Sequence, residues 1–284
     1  MFHKAAFLGQ PGSGKSTMGL SYPGVEQHVW GSSEEDTALN FSGRKDILPP
    51  VKLDWFECLT DDEKKKFSDA SISEEVVVGL SKVARAKNVA KYRRYLYQLK
   101  TKLTPGLETI FLDNGTPFLQ DFQDYVEVVF GKEFITEGGN FNSIKFSIKY
   151  QSEVMDFMRL FFSLPCHCLA SFHISMTVDE EVSARVNFLE DTKKGIKHPK
   201  EWQPMIYGKA KYAIAGIPTW AFFLWCEESP GKPNEYYAKL EADSSNVGLA
   251  KSRIQPFKEP SKIKVPKNDF YNFFNTALLE KVKA

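Results

Sequence analysis

Gly9-Gln10-Pro11-Gly12-Ser13-Gly14-Lys15-Ser16 decides the fold. The octet fits G-x-x-x-x-G-K-[ST] at every fixed position. It stands between an expected strand at 4–8 and a short helix that Pro23 has to end, which is the setting this motif requires. Glycines let successive backbone N–H groups curl around a β-phosphate, and a helix N-terminus adds partial positive charge. The Lys15 ammonium then reaches the β- and γ-phosphates, and the Ser16 hydroxyl faces magnesium. These eight residues and Thr17 are the expected contacts to ATP, with Ser16 also an expected Mg2+ ligand. The alternative is a chance glycine turn.

Working outward, residues 108–113 (ETIFLD) form a short apolar run with the character of a buried parallel strand ending in an acid. Asp113 is there placed to hold magnesium, usually through its water, or else to cap the next helix. A strand at 27–30 leads into Ser32-Ser33-Glu34-Glu35-Asp36. Glu34 is the first choice for a base that orients water, Glu35 the fallback, and a solvated acidic loop the alternative. His173 follows an expected strand at 166–172, where it reaches a γ-phosphate or is simply structural. Lys251 and Arg253 are either cations for a phosphate in a neighbouring subunit or a solvated pair. Cys166-His167-Cys168 has no second ligand pair at zinc spacing, so core packing is expected.

Elsewhere the pattern is helical over 73–102, with Tyr92, Tyr95, Leu96, Leu99 and Leu103 on one face and a basic, solvent-facing opposite face. Residues 40–60 look irregular. Helices are expected at 115–129 and 148–163, separated by a loop at 131–146. Alternation at 177–189 reads as a hairpin, followed by the basic segment Lys193, Lys194, Lys197 and Lys200. A further hairpin pairs 220–225 with 236–240. The expected fold is α/β, a mainly parallel sheet flanked by helices with an antiparallel C-terminal edge. One core domain spans 1–257, and 258–284 is a Lys/Pro-rich tail with a last amphipathic helix through Phe270, Phe273, Phe274 and Leu278.

With 42% apolar residues the chain can bury a substantial core. Its 37 Lys and Arg against 36 Asp and Glu give no whole-molecule field towards nucleic acid or an anionic membrane, so any polyanion site must be a local patch. The apolar stretch before Gly9 is too short for a signal peptide, and no apolar run approaches the ~20 residues of a membrane span. No membrane partner and a cytoplasmic location are expected.

The order of these features resembles the RecA/DnaB ATPase core: a phosphate loop almost at the N-terminus, an acid after the second strand, then Asp113, His173 and Lys-x-Arg at Lys251 and Arg253. GQPGSGKSTMGLSYPG and PMIYGKAKYAIAGIPTWAFFL are most similar to small phage-encoded RecA-like P-loop ATPases of the single-strand-annealing recombinase type. The resemblance covers roughly residues 1–255. It implies Lys15, Ser16 and Asp113 as nucleotide and metal contacts, Glu34 as catalytic glutamate, His173 as sensor, and Lys251 with Arg253 as fingers in trans. It further implies a homo-oligomeric ring or filament acting on single-stranded DNA, with a phage single-strand-binding protein as a partner, in a host bacterial cytoplasm. Two positions depart from the pattern: Glu34 lies further past its strand than the family's acid, and Asn114 stands where Ser or Thr is usual. Loops after the third and fourth core strands, 131–146 and 174–207, would line the DNA path, with Phe134, Phe141 and Trp202 to stack on bases. Lys145, Lys193, Lys194, Lys197 and Lys200 would meet phosphates. The rivals are a small-molecule or nucleotide kinase, whose Arg-rich lid is not found, and a nucleotide-regulated assembly or loading protein with little turnover.

Overall fold

Every residue of the stretch leading into the glycine loop alternates between two cores. Ala5 and Phe7 pack into one apolar cluster, Ala6 and Leu8 into the other. Such two-sided burial is the mark of a central parallel strand. The structure is a computed structural model that describes residues 1–30, 45–178, 200–205, 211–228, 230–241 and 250–283. In it β1 (Lys4–Gly9) lies between β5 (His167–Val178) and β7 (Trp220–Glu227), parallel to both.

The parallel run continues from β5 to β4 (Thr109–Asp113), β2 (Val25–Trp30) and the short edge strand β3 (Val51–Leu53). On the other side β7 pairs antiparallel with β8 (Glu235–Lys239), and β8 with β10 (Ile263–Lys264). Two further antiparallel strands leave the main path. β6 (Lys200–Pro204) pairs with the end of β5, and β9 (Lys251–Ser252) with the start of β7. The sheet is thus mainly parallel with an antiparallel edge, as expected. The hairpin read at 177–189 falls mostly outside the described residues; the segment seen to return along β5 is 200–204.

Helices cover both faces. α1 (Lys15–Leu20) follows the loop, α2 (Asp61–Ser68) is capped by Thr60 and Glu63, and α3 (Glu74–Thr101), α4 (Gly115–Phe130) and α5 (Ser143–Phe162) fill one side. The expected face of α3 is the buried one: Tyr92, Leu96 and Leu99 are in the core, while Lys91, Arg94 and Lys100 are exposed. Arg93 is an exception to the basic outer face, since it reaches Glu153 at 2.8 Å and the Tyr125 hydroxyl at 3.0 Å. Two tyrosines anchor α3 to β2. Tyr92 bonds His28 at 2.8 Å, and Tyr95 donates to Glu26, which also bonds His28. The region read as irregular, 40–60, contains β3 and a 3₁₀ turn at Trp55–Cys58; three residues just past Pro49-Pro50 form a strand only because the edge of β2 is there to pair with.

The short α6 (Lys211–Gly216) packs against α5 with Ile214 and Ala215 in that same core, and on the opposite face lie α1 and α7 (Phe270–Lys283). The Lys/Pro-rich tail is built into this face: β10 extends the sheet, and Phe270, Phe274 and Leu278 join Phe7, Trp220 and Phe222 in its core. Cys166 and Cys168 are buried, their sulfurs 4.0 Å apart, against the ammonium of Lys4. No described helix is long and apolar enough to cross a membrane.

Phe274 is fully buried, with ring centroids of Trp220, Phe222 and His3 each at 5.1 Å. Phe274→Ala should therefore cost about 3–5 kcal/mol in urea unfolding, whereas Leu279→Ala at an exposed position should cost under ~0.5 kcal/mol. Equal, small effects would mean that α7 is not part of the cooperative core.

Candidate functional site

The loop after β1 is drawn tight by its glycines. A Cβ on Gly9 would stand 2.3 Å from Ser13 Oγ and 2.7 Å from the Leu224 carbonyl. Gly14 has φ +83°, and a Cβ there would lie 3.0 Å from the ring of Tyr236. No other residue type fits both positions without displacing the loop. Lys15, only 6% exposed, folds back over the loop and donates to the carbonyls of Gly9 at 2.9 Å and Gln10 at 2.8 Å.

The next residue makes the decisive contact. Ser16 Oγ donates to Asp113 Oδ1 at 3.1 Å, joining the start of α1 to the end of β4 although β5 runs between β1 and β4. Asp113 is 2% exposed and also accepts from Ser171 Oγ at 2.8 Å, Gln27 Nε2 at 2.7 Å and the Asn114 N–H at 3.1 Å. Burial pushes its carboxyl pKa up; the hydrogen bonds from Ser171, Ser16 and Gln27 and the Lys15 ammonium pull against it. Asn114 sits at φ 62°, a left-handed conformation that asparagine tolerates better than Ser or Thr, and this turn starts α4.

His173 lies within β5, one register position opposite Gly9, because the strand runs past the expected end at 172 as far as Val178. Its backbone N–H is fixed by Thr116 Oγ1 at 2.8 Å. Burial, and then the Lys15 ammonium, lower the imidazole pKa, so the ring is neutral at physiological pH. Its Nδ1 and the Oδ1 of Asn114 are buried without a hydrogen-bond partner.

These groups line one cleft of about 360 Å³, walled by Pro11, Gly12, Gly14, Lys15, Ser16, Thr17, Asp113, Asn114, Ser171 and His173 on one side and by Tyr236 and Lys267 on the other. The Ser16 hydroxyl and the Asp113 carboxylate are hard oxygen donors. Magnesium characteristically takes one or two such protein ligands and completes its shell from substrate phosphates and water, so the pair fits that ion. Such a site needs no cluster of acids or imidazoles, and none gathers among the described residues.

Not every expected residue is in the cleft. Glu34 and Glu35 lie outside the described residues, as do Lys193, Lys194 and Lys197. Lys251 and Arg253 stand at the other end of the sheet. Lys251 pairs with Ala221 at the start of β7, whereas the loop leaves at the level of Leu224, and both cations donate to the Gly216 carbonyl. Among the aromatics expected on bases, Phe134 is wrongly placed: at 1% exposure it packs between Phe141 and Phe146 and has no face to offer. Phe141 (49% exposed) and Lys145 are at the surface, while Lys200 and Trp202 fall on β6.

Gln27, Ser171, Tyr236 and Lys267 are additions to the sequence reading. Ser171 was within reach of it, since strand alternation puts residues 171 and 173 on one face. Gln27 carries less of a signal, since it stands in the polar run Glu26-Gln27-His28. Tyr236 and Lys267 have none, because only the fold brings them to the loop. No protein-family model matches the chain, and no curated protein matches it.

Asp113→Asn is nearly isosteric but turns one acceptor oxygen into a donor that faces donors. It should cost about 1–3 kcal/mol of stability while leaving a folded protein. The rise in melting temperature produced by ATP with magnesium should shrink towards that produced by ATP without it. An undiminished magnesium-dependent rise would show that Asp113 serves only the fold.

Proposed function

We propose that this protein binds a nucleoside triphosphate with magnesium and hydrolyses it, as a RecA-like P-loop ATPase. The observation that carries the reading is the Ser16–Asp113 hydrogen bond, which brings the loop's hydroxyl and the acid of a non-adjacent strand to one point beside Lys15. Lys15 exchanges its loop carbonyls for β- and γ-phosphate oxygens, a charge-assisted contact in place of neutral ones. Magnesium, which Ser16 and Asp113 would hold, would offset charge on the phosphates. Asp113 accepts hydrogen bonds from Ser16, Gln27 and Ser171, which favour its charged form against the burial that raises its pKa.

In hydrolysis the oxygen of water attacks the γ-phosphorus, the bond to the β–γ bridging oxygen breaks, and the proton passes to a carboxylate, Glu34 or Glu35 in this proposal. Neutral His173, held beside Gly9, is positioned to feel the γ-phosphate with its unpartnered Nδ1. Because β6 pairs with the end of β5, beginning at Ile174 opposite Pro204, a change at His173 adjoins the segment proposed to meet DNA. The single-stranded DNA reading retains Phe141 and Lys145 as surface contacts and no longer includes Phe134.

Lys15→Ala should lower ATP turnover at least a hundredfold, and the wild type should hydrolyse faster with single-stranded DNA than without. Unchanged turnover in the variant removes the ATPase reading; indifference to DNA removes the recombinase reading alone.

Lys251 and Arg253 cannot serve their own loop from the opposite end of β7, so in the proposed head-to-tail assembly they act on a neighbour. Arg253→Ala and Lys15→Ala proteins should each be inactive, and mixing them should restore part of the activity through interfaces with one intact loop and one intact arginine. No recovery despite co-assembly would exclude a finger in trans.

A further inference from the structure

The cleft at the loop has two flanks with different chemistry. On the β5 and β4 side stand Asp113, Ser171 and His173; on the β7 and β8 side stand Tyr236 and Lys267. Tyr236 and Lys267 also form the inner wall of a second cleft, of about 520 Å³, that opens between the turn before β8 and the segment 264–267. The two clefts are therefore adjacent, sharing these two residues. The second lies within the ~300–1,000 Å³ range typical of small-molecule sites.

The direction of a bound triphosphate follows from the first flank. Its β- and γ-phosphates must lie where Lys15, Ser16 and Asp113 converge, because Lys15 would pair with those two groups and Ser16 with Asp113 would hold the magnesium that accompanies them. The remainder of the molecule has to leave by the other flank, past Tyr236 and Lys267. We propose that the base and ribose lie in the groove between the turn at 232–236 and the C-terminal segment 264–267, so that the tail completes the nucleotide site of its own subunit. This rests on reading the loop as a nucleotide site.

The groove has suitable materials. Pro233, Val265 and Pro266 give apolar surface for a base, and Asn234 offers an amide that can read a base edge. Lys267 Nζ donates to the Tyr236 hydroxyl at 3.0 Å and lies 4.5 Å from its ring centroid. An ammonium has three donors, so ribose hydroxyls can be met without breaking that bond. The neighbouring Lys264 and Glu235 neutralise each other. The segment is also held rigidly to the loop helix: the turn Lys267–Asp269 packs on α1, and the Tyr271 N–H donates to Ser21 Oγ at 3.1 Å.

Photolabelling of the full chain with azido-ATP, followed by peptide mapping, tests the placement. Label should appear within 232–236 or 264–267, fall with excess ATP, and be lost in Lys15→Ala. Asn234→Ala, an exposed position that lines the second cleft alone, should weaken ATP binding about tenfold while leaving binding of inorganic triphosphate with magnesium within twofold. Competable label elsewhere, an unchanged ATP affinity in Asn234→Ala, or equal weakening of ATP and triphosphate overturns the groove assignment. If the wild type binds neither ATP nor triphosphate, the loop reading has failed and the groove proposal with it.

Discussion

A carboxylate as deeply buried as Asp113 is tolerated only where donors surround it, since a lone buried charge costs several kcal/mol. Its donors come from four separate places: Ser16 on α1, Gln27 on β2, Ser171 on β5 and the backbone at the start of α4. Each hydrogen bond to a charged group contributes roughly 1.5–3 kcal/mol. Together they fix the relative heights of β2, β4 and β5 and the entry of α1. The geometry of the cleft is thus a by-product of keeping one acid satisfied, and any shift of these elements leaves a donor or an acceptor unpaired.

The same arrangement leaves little freedom elsewhere. Because β1 and β4 are separated by β5, Ser16 has to reach over that strand, and it does so only from the first turn of α1. That requires the loop to close tightly, which in turn requires the glycines at 9 and 14. Lys15 is then buried against the loop's own carbonyls, where its charge adds to burial in lowering the pKa of His173 and opposes the burial that raises that of Asp113.

Much of this could be read in the sequence because it is local. The octet 9–16, the apolar run ending at Asp113, and the period of Tyr92, Leu96 and Leu99 each report on a few turns of chain. What escaped was set by long-range pairing. β3 is a strand only beside β2, and α7 is a core element only because β7 presents Trp220 and Phe222 to it. Phe134 shows the converse failure. An aromatic in an expected loop looks available, but a 3₁₀ turn at Gly131–Phe134 and the Ile135–Phe141 bridge fold it under Phe141. Tyr236 and Lys267 reach the loop from more than 200 residues away, and no local pattern marks them.

The distribution of cations over the sheet bears on how a nucleotide site of this kind would be completed. Lys15 and Lys267 stand on the C-terminal edge of the parallel strands, within the cleft. Lys251 and Arg253 are held at the opposite end through β9, which pairs with Trp220 and Ala221, about four residues or roughly 13 Å of strand below the level of the loop. Their donors are engaged with the carbonyls of Gly216 and Ile217, neutral partners that a phosphate outcompetes once it is in range. Under the proposed assembly, stacking subunits end to end is the arrangement that brings such a pair to a phosphate, because a side-by-side one keeps the two edges apart. The groove beside Lys267 makes a complementary demand. If the tail completes binding within the subunit, the neighbour's cations are left to act on the γ-phosphate alone, where charge develops as the bond to the leaving oxygen breaks. Binding would then belong to the subunit and turnover to the interface, so that the free chain could hold nucleotide without consuming it.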